Sequence, residues 1–164
     1  MEGFSLKWHF AAHESQLSGK SAIELRHLES LLGEPMMLVS GDEIRCISNV
    51  CTHRGMLLVD GSCSRTTLQC PYHGRTFGLD GSIKSMPEFD FVEGFPAAED
   101  DLRTFPSISW KGLVFAGLEP SGLEACLGEM ESRIGWMPIE KFEYDHSRNR
   151  CYEIRANWAL YVDN

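Results

Sequence analysis

Two short segments constrain this chain more than any other feature of its sequence. Cys51-Thr-His53-Arg-Gly55 and Cys70-Pro-Tyr-His73-Gly74 each place one cysteine, one histidine and one glycine within five residues. Together they read C-x-H, sixteen further residues, then C-x-x-H. Thiolate and imidazole are both metal ligands. A fold that uses all four side chains must therefore bring these two segments face to face as a pair of loops.

The mixed composition of each segment favours a binuclear [2Fe–2S] cluster, in which both cysteines bind one iron and both histidines bind the other. Neutral imidazole adds no negative charge, so such a cluster has a higher potential than one held by four cysteines. Gly55 and Gly74 are expected to let the backbone bend closely around inorganic sulfide and to free N–H groups that donate to the cluster sulfurs. The predicted ligands are Cys51, His53, Cys70 and His73.

A zinc site is an alternative to the cluster for these four residues. Zinc also accepts two cysteines and two histidines, which would make the chain a zinc-stabilised binding module without a redox role. However, zinc-finger segments usually pair like ligands, whereas each segment here mixes them. The remaining alternative is that the four residues bind no metal. The colour of the purified protein separates an iron–sulfur cluster from both alternatives.

Composition and charge narrow the function classes. The chain has 164 residues, 43% of them hydrophobic, and a formal net charge of −9. An acidic surface repels phosphate backbones, so nucleic acid is not an expected partner. No apolar run approaches the ~20 residues needed to span a membrane, and no secretory signal precedes the first strand. We expect a cytoplasmic protein with reduced thiols.

The cysteines, histidines and acidic residues outside the two segments receive structural interpretations. Four cysteines without pairing logic are predicted to be small, mostly buried hydrophobic residues: Cys46, Cys63, Cys126 and Cys151. The histidines outside the motif are predicted to be structural, surface or turn residues: His9, His13, His27 and His146. The acidic stretch Glu99–Asp101 is interpreted as a solvated loop.

Short strands separated by turns dominate the predicted secondary structure. The expected strands are Lys7–Ala12, Ser21–Leu28, Pro35–Ser40, Glu43–Asn49, Thr76-Phe77, Ser82-Ile83, Gly112–Gly117 and Cys151–Asn157. Gly41-Asp42 is a two-residue hairpin signal, and Leu79–Gly81 marks another tight turn. Many short strands with turns between them indicate a mainly β fold, a sandwich or a small barrel.

Helix signals are fewer. Apolar residues recur at helical spacing over Leu123–Ile134, and Ser121 with Glu124 forms a candidate capping box at its start. Glu29–Gly33 is a second candidate, for a helical turn. We therefore expect one or two short helices beside the strands.

The two loops and their flanking residues resemble those of a known family. Cys51-Thr-His53-Arg-Gly55 and the segment 70–77 are similar to the cluster loops of Rieske non-haem iron oxygenases, the large (α) subunits of ring-hydroxylating dioxygenases and related monooxygenases. The stretches 32–35, 86–89 and 110–115 are similar to the flanking core of that family. The stretch 156–164, which contains Asn157-Trp158 and ends at Asp163-Asn164, is similar to the segment that leads into the family's catalytic domain.

The resemblance implies a fold and a domain organisation. Residues 1–164 are expected to form a single Rieske domain, an antiparallel sandwich or small barrel. A cluster-binding subdomain at about 46–90, made of the two loops, is expected within it. Residues 156–164 would begin the linker to a catalytic domain that lies outside this sequence.

The resemblance also implies a function. The domain would relay single electrons from a ferredoxin or a flavin-dependent reductase to a mononuclear non-haem Fe(II), which two histidines and one carboxylate hold in the catalytic domain. None of those catalytic residues is expected within 1–164, and the parent enzyme is expected to be a homotrimeric oxygenase. The alternative is a stand-alone Rieske ferredoxin, although such carriers are usually shorter. In that family the catalytic domain forms the substrate pocket.

Three positions distinguish this chain from the respiratory Rieske class. That class has an additional cysteine in each loop, where this chain has Met56 and Tyr72, and a serine that donates to a cluster sulfur, where this chain has Arg75. Fewer donors to sulfur lower the potential. The resemblance therefore implies a midpoint toward the low end of the Rieske range, on the order of −150 mV.

Overall fold

Eleven short strands form most of the regular structure in the computed structural model, which describes residues 7–157. The part of the predicted linker that follows Asn157 lies outside the described residues. The strands are β1 (His9–His13), β2 (Ala22–Glu24), β3 (Met36–Ser40), β4 (Ile44–Ser48), β5 (Ser62–Cys63), β6 (Leu68–Gln69), β7 (Thr76–Phe77), β8 (Ile83–Ser85), β9 (Thr104–Phe105), β10 (Ser107–Trp110) and β11 (Leu113–Ala116).

Two α-helices accompany the strands: α1 (Arg26–Leu32) and α2 (Leu123–Ile134). Short 3₁₀ helices lie at Glu14–Leu17, Ala98–Asp100, Ile139–Lys141 and His146–Arg148. Within the described range, neither α-helix nor any shorter one has the length and apolar character needed to cross a membrane.

The strands form three antiparallel sheets. The largest has the order β5-β2-β3-β4-β9, and the others have the orders β1-β11-β10 and β6-β7-β8. The mainly β, antiparallel architecture predicted from the sequence is confirmed. Strands β6 and β7 of the small sheet flank the second Cys/His segment in the chain.

The central strand β3 separates two apolar clusters. Met36 and Leu38 contribute to a cluster with β1 and β11, and Met37 and Val39 contribute to a second one. Since side chains alternate across a strand, each face of the large sheet is covered. The second cluster contains Cys51, so the large sheet supports the first Cys/His loop directly.

The two strands of the hairpin between β3 and β4 agree with the prediction, but its turn is one residue longer. Ser40 pairs with Ile44, so a connection of three residues, 41–43, replaces the predicted two-residue turn. Farther along the chain, Phe77 pairs with Ile83 around the predicted turn at Leu79–Gly81.

The predicted strand Ser21–Leu28 is partly wrong. Only Ala22–Glu24 is extended, and helix α1 begins at Arg26 and ends at Leu32. Its C-cap is Gly33, whose φ of 72° gives the left-handed backbone typical of that position. The helix forms here because it buries Leu28, 2% exposed, in the first apolar cluster.

Helix α2 has the predicted bounds, but its N-cap residue differs from the prediction. Gly122, at φ 74°, is the N-cap and makes no side-chain cap hydrogen bond, so the predicted cap by Ser121 is wrong. A left-handed glycine turns the chain into the helix without a capping side chain. Leu123 is the one buried residue of α2.

The predicted strand Cys151–Asn157 is also wrong for the described structure. These residues form no strand, and each of them is exposed. A strand needs a partner for its backbone N–H and C=O groups, and none of the strands within residues 7–157 pairs with this stretch.

Candidate metal centre

The first Cys/His segment forms a tight loop closed at both ends by backbone hydrogen bonds. The N–H of Cys51 donates to the carbonyl of Met56 at 2.8 Å, and the N–H of Gly55 donates to the carbonyl of Cys51 at 3.0 Å. An antiparallel bridge between Val50 and Leu57 flanks the loop. The loop thus presents its cysteine and histidine from a rigid base.

The second segment repeats the same hydrogen bonds. The N–H of Cys70 donates to the carbonyl of Arg75 at 2.8 Å, and the N–H of Gly74 donates to the carbonyl of Cys70 at 3.0 Å. Gln69 and Thr76, paired across β6 and β7, flank this loop. The two loops are equivalent in backbone bonding, although their histidines stand at different distances from their cysteines.

The glycine of each loop is required by its backbone conformation. Gly55 has φ 70° and Gly74 has φ 75°, in the left-handed region that side chains with a Cβ rarely adopt. A Cβ on Gly74 would lie 3.1 Å from Cγ of Pro87, while a Cβ on Gly55 would meet no protein atom within 4 Å. The turn itself therefore explains both glycines, and contact with other protein atoms contributes at Gly74.

The four predicted ligands meet in two layers. Cys51 and Cys70 are 2% and 3% exposed and belong to the second apolar cluster. His53 and His73 are half-buried, with ring centroids 4.8 Å apart and ring planes at 67°. The cysteines thus form the inner side of the site and the histidines form its outer side.

Burial and neighbouring groups shift the protonation equilibria of the site. Burial raises the pKa of the Cys51 thiol, and the adjacent Cys70 thiol raises it further. The backbone N–H groups of His53 and Arg54 hydrogen-bond to the Cys51 sulfur and act in the opposite direction, so they lower this pKa. Burial lowers the pKa of His53, and the positive charges of His73, Arg54 and Arg75 lower it further. A neutral imidazole is the form that binds a metal.

These side chains fit a [2Fe–2S] cluster. Nδ1 of His73 is buried without a hydrogen-bond partner. A buried polar atom normally has such a partner, and a nitrogen that binds a metal ion does not need one. The two thiols are close enough to interact directly, as two ligands of one iron must be. Among residues 7–157, no three histidine, cysteine or acidic side chains converge on a single ion, and a site with two protein ligands for each iron needs no such convergence.

Aromatic side chains surround the outer side of the site. Tyr72 lies against the ring of His73 at a centroid distance of 3.7 Å, and Phe89 lies 6.3 Å from the ring of His53. An open groove of about 500 Å³ runs past both histidines and Phe89. The histidine edges are therefore the accessible part of the site.

The mutual contacts of Arg75, Thr52 and Asp100 were not predicted from the sequence. Arg75 is buried, and its Nη1 contacts both Thr52 and Asp100. The interpretation of Glu99–Asp101 as a solvated loop is wrong for Asp100, which pairs with Arg75. Glu99 and Asp101 are exposed, and Asp101 accepts a hydrogen bond from the N–H of Ile83 at 2.7 Å. A spacing of 25 residues between Arg75 and Asp100 carries no local signal, so only the fold brings them together.

The cysteines outside the site divide into two groups. Cys46 is fully buried and Cys63 is half-buried, as expected, but Cys126 and Cys151 are exposed, so the prediction is wrong for those two. They lie on α2 and on the stretch after it, where no described element covers them. All six cysteines are free thiols.

Three of the remaining histidines contact groups outside the two loops, although Nε2 of His13 is buried without a hydrogen-bond partner. His13 accepts a hydrogen bond from the N–H of Ser15 at Nδ1 and caps the first 3₁₀ helix. His27 contacts the carbonyl of Phe10 at 3.1 Å, and His146 packs edge-on against Tyr144. None of these three rings lies among the four predicted ligands.

Comparison with known proteins identifies the fold. The sequence profile described as the Rieske [2Fe-2S] domain matches residues 7–96. The chain belongs to the Rieske [2Fe–2S] domain family. Its cofactor is accordingly a Rieske-type [2Fe–2S] cluster, and the matched range contains both Cys/His loops.

The relatives of this Rieske domain are oxygenase subunits. The oxygenase subunit of carnitine monooxygenase from Acinetobacter pittii is 29% identical over 98% of this chain and 44% of its own length. Choline monooxygenase from Amaranthus tricolor is 29% identical over 98% of this chain and 37% of its own length. A solved quaternary ammonium Rieske monooxygenase, described for carnitine oxidation and inter-subunit electron transfer, superposes with a TM-score of 0.69 at 30% identity, over 80% of this chain and 37% of that one.

The chain thus spans less than half the length of the relatives it matches. Over that span, the chain is similar to the Rieske domains of these oxygenases, which fits an electron-transfer role.

Proposed function

We propose that Cys51, His53, Cys70 and His73 hold the [2Fe–2S] cluster, and that the domain relays single electrons to a mononuclear non-haem iron in the catalytic domain of an oxygenase. The two-layer arrangement of these side chains carries the proposal. Buried thiols face the apolar core, and imidazoles 4.8 Å apart face the groove.

The protein residues prepare this role in distinct ways. When bound, a Rieske cluster would accept and release one electron reversibly. Cys51 and Cys70 would bind the inner iron as thiolates, and the N–H groups directed at the Cys51 sulfur favour its charged form. His53 and His73 would bind the outer iron and expose their ring edges to a partner. Burial of the thiols excludes water from the inner side.

The wider assignment follows from the relatives. We infer a parent enzyme that receives electrons from a ferredoxin or a flavin-dependent reductase, assembles as a homotrimer and works in the cytoplasm. Residues 1–164 would be its single Rieske domain, with the cluster-binding subdomain at about 46–90 and the linker starting at 156. The inter-subunit electron transfer described for the quaternary ammonium monooxygenase supports a multimeric parent, and the four free thiols outside the two loops favour a reducing compartment.

Ligand substitutions test this proposal. We expect the purified 164-residue chain to be reddish-brown and to show a Rieske-type EPR signal after reduction. His53→Ala or Cys70→Ala should abolish stable cluster assembly, because each removes one of four ligands. Iron and sulfide content, the visible spectrum and EPR measure the outcome.

Matched controls separate ligand loss from general damage. Cys63→Ser and Cys126→Ser change cysteines outside the loops and should leave the cluster intact. An unchanged spectrum in His53→Ala would show that the ligand assignment is wrong. A colourless parent chain that contains zinc would overturn the cluster assignment itself.

A further inference from the structure

Arg75 is a buried cation directly after the second loop. It is 4% exposed, and no other lysine or arginine within residues 7–157 is buried. Burying a cation is costly unless a partner and hydrogen bonds compensate for the lost water. The compensation at this position comes from residues of the other loop and of a distant turn.

The Arg75 side chain contacts four groups at once. Its Nη1 donates to Oγ1 of Thr52 at 2.8 Å and pairs with Oδ1 of Asp100 at 3.0 Å. Its Nε points at the sulfur of Met86 at 3.4 Å, and its guanidinium lies 5.3 Å from the ring centre of Phe95. These contacts define the orientation of the guanidinium plane.

The contacts join the two cluster loops. Thr52 stands between two proposed ligands in the first loop, and its hydroxyl also donates to the carbonyl of Asp100 at 2.7 Å. The carbonyl of Arg75 closes the second loop by accepting from the N–H of Cys70. Asp100 is itself oriented, because its Oδ2 accepts from the N–H of Ala97 at 3.0 Å.

We propose that Arg75 is a positioning residue that fixes the spacing of the two cluster loops. Asp100 orients its guanidinium, and the Thr52 hydroxyl couples it to the first loop. The relative orientation of His53 and His73 then follows from this link. The inference rests on the proposed ligand set and adds to it a device that holds the two loops in register.

A pair of substitutions at Thr52 tests the link most directly. Thr52→Val keeps the size of the side chain and removes both hydroxyl bonds, whereas Thr52→Ser keeps the hydroxyl. We expect the cluster of the Val variant to be lost to a chelator roughly tenfold faster than that of the parent chain, the factor that about 1.4 kcal/mol produces. The Ser variant should lose its cluster at close to the parental rate.

The EPR spectrum of the reduced cluster provides a second readout. Its g-values depend on how the ligands are oriented, so the Val variant should show shifted or broadened features and the Ser variant should not. Thr104→Val is the matched control, since Thr104 is an exposed threonine of β9. It should match the parent chain in both measurements.

A variant of the ion pair tests the role of Arg75 itself. Arg75→Met alone leaves Asp100 without its partner and risks misfolding. The double variant Arg75→Met/Asp100→Leu removes both charges and should therefore fold, yet it should show the fast cluster loss and altered EPR signal of Thr52→Val. Lys84→Met, in an exposed pair with Asp80 at 3.9 Å, is its control.

The outcomes distinguish this inference from the proposed function. If the parent chain shows a Rieske signal and the Val and Ser variants behave alike, the inference is wrong and the ligand assignment stands. A double variant with parental cluster lifetime and EPR signal would contradict it equally. If the parent chain shows no Rieske signal, the proposed function fails and the inference fails with it.

Discussion

Burial gives chemically identical side chains different roles at the residue scale. Cys51 lies beside a second thiol, with backbone N–H groups directed at its sulfur. Cys46 is equally buried, but it packs in the other apolar cluster, where its thiol contacts the thioether of Met36 at 3.9 Å. Burial alone raises the pKa of Cys46 to about 12. Cys46 is therefore an inert core residue at neutral pH.

The buried Cys46 predicts a loss of stability at alkaline pH. The folded chain keeps the Cys46 proton, while the unfolded chain releases it above about pH 9. The stabilising contribution is therefore complete below pH 9 and falls by about 1.4 kcal/mol for each pH unit as the pH rises toward 12. Urea unfolding midpoints of the parent chain and of Cys46→Ala, measured at pH 7.5 and at about pH 10.5, check this.

The comparison of the two chains isolates the Cys46 contribution. Cys46→Ala creates a cavity and should be less stable at neutral pH, but the difference between the chains should shrink at the higher pH. A difference that stays constant between the two pH values would show that Cys46 does not carry the effect.

At the element scale, the two faces of the large sheet serve different purposes. Leu38 of β3 packs toward β1 and β11, whereas Ile47 of β4 packs in the cluster that contains Cys51 and Cys70. Both side chains are 0% exposed. One face therefore stabilises the fold, and the other also supports the metal centre.

Truncation on the two faces should have separable effects. Leu38→Ala and Ile47→Ala should each lower the free energy of unfolding by about 2–5 kcal/mol, because each leaves a cavity in a packed core. Only Ile47→Ala should also shorten the lifetime of the cluster, since it loosens the packing beneath the cysteines. Urea unfolding and chelator-induced loss of visible absorbance, under conditions where both variants stay folded, measure the two effects.

The element-scale prediction has a clear contrary result. Equal cluster lifetimes in the two variants, despite equal losses of stability, would show that the support of the loops does not depend on which face of the sheet is damaged.

Charge is the main property that acts at the scale of the whole molecule. The chain carries 24 acidic and 15 basic residues, for a net charge of −9. Adding an electron to an acidic protein is electrostatically unfavourable. Arg75 and Asp100 form an ion pair at 3.0 Å, so together they add no net charge beside the loops.

The redox potential follows from these charges and from the loop residues. We expect a midpoint on the order of −150 mV, at the low end of the Rieske range. Met56 and Tyr72 replace the additional cysteines of the respiratory class, and Arg75 directs its N–H groups at Thr52, Asp100 and Met86. A redox titration of the purified chain, followed by circular dichroism or EPR, gives the value. A clearly positive midpoint would contradict the assignment to the oxygenase type.

Local sequence patterns were sufficient for features that depend on neighbouring residues. The hairpin of β3 and β4, the span of α2 and the mainly β character follow from apolar periodicity and turn residues. Patterns failed where a distant partner decides the outcome. Cys151–Asn157 alternates like a strand but has no partner strand in the described structure, and Ser121 is displaced as the cap of α2 by a left-handed Gly122.

The sequence by itself determined which residues are the candidate ligands, because the Cys/His spacing and the glycine after each pair are local requirements of a tight loop. Only the tertiary structure decided how the two loops face each other, with thiols inside and imidazoles outside. It also decided what holds the loops together, since Arg75, Thr52 and Asp100 are far apart in the chain and meet only after folding. The physical reason is burial. A cation removed from water needs polar partners to compensate for the lost hydration, and only the folded chain brings those partners close to it.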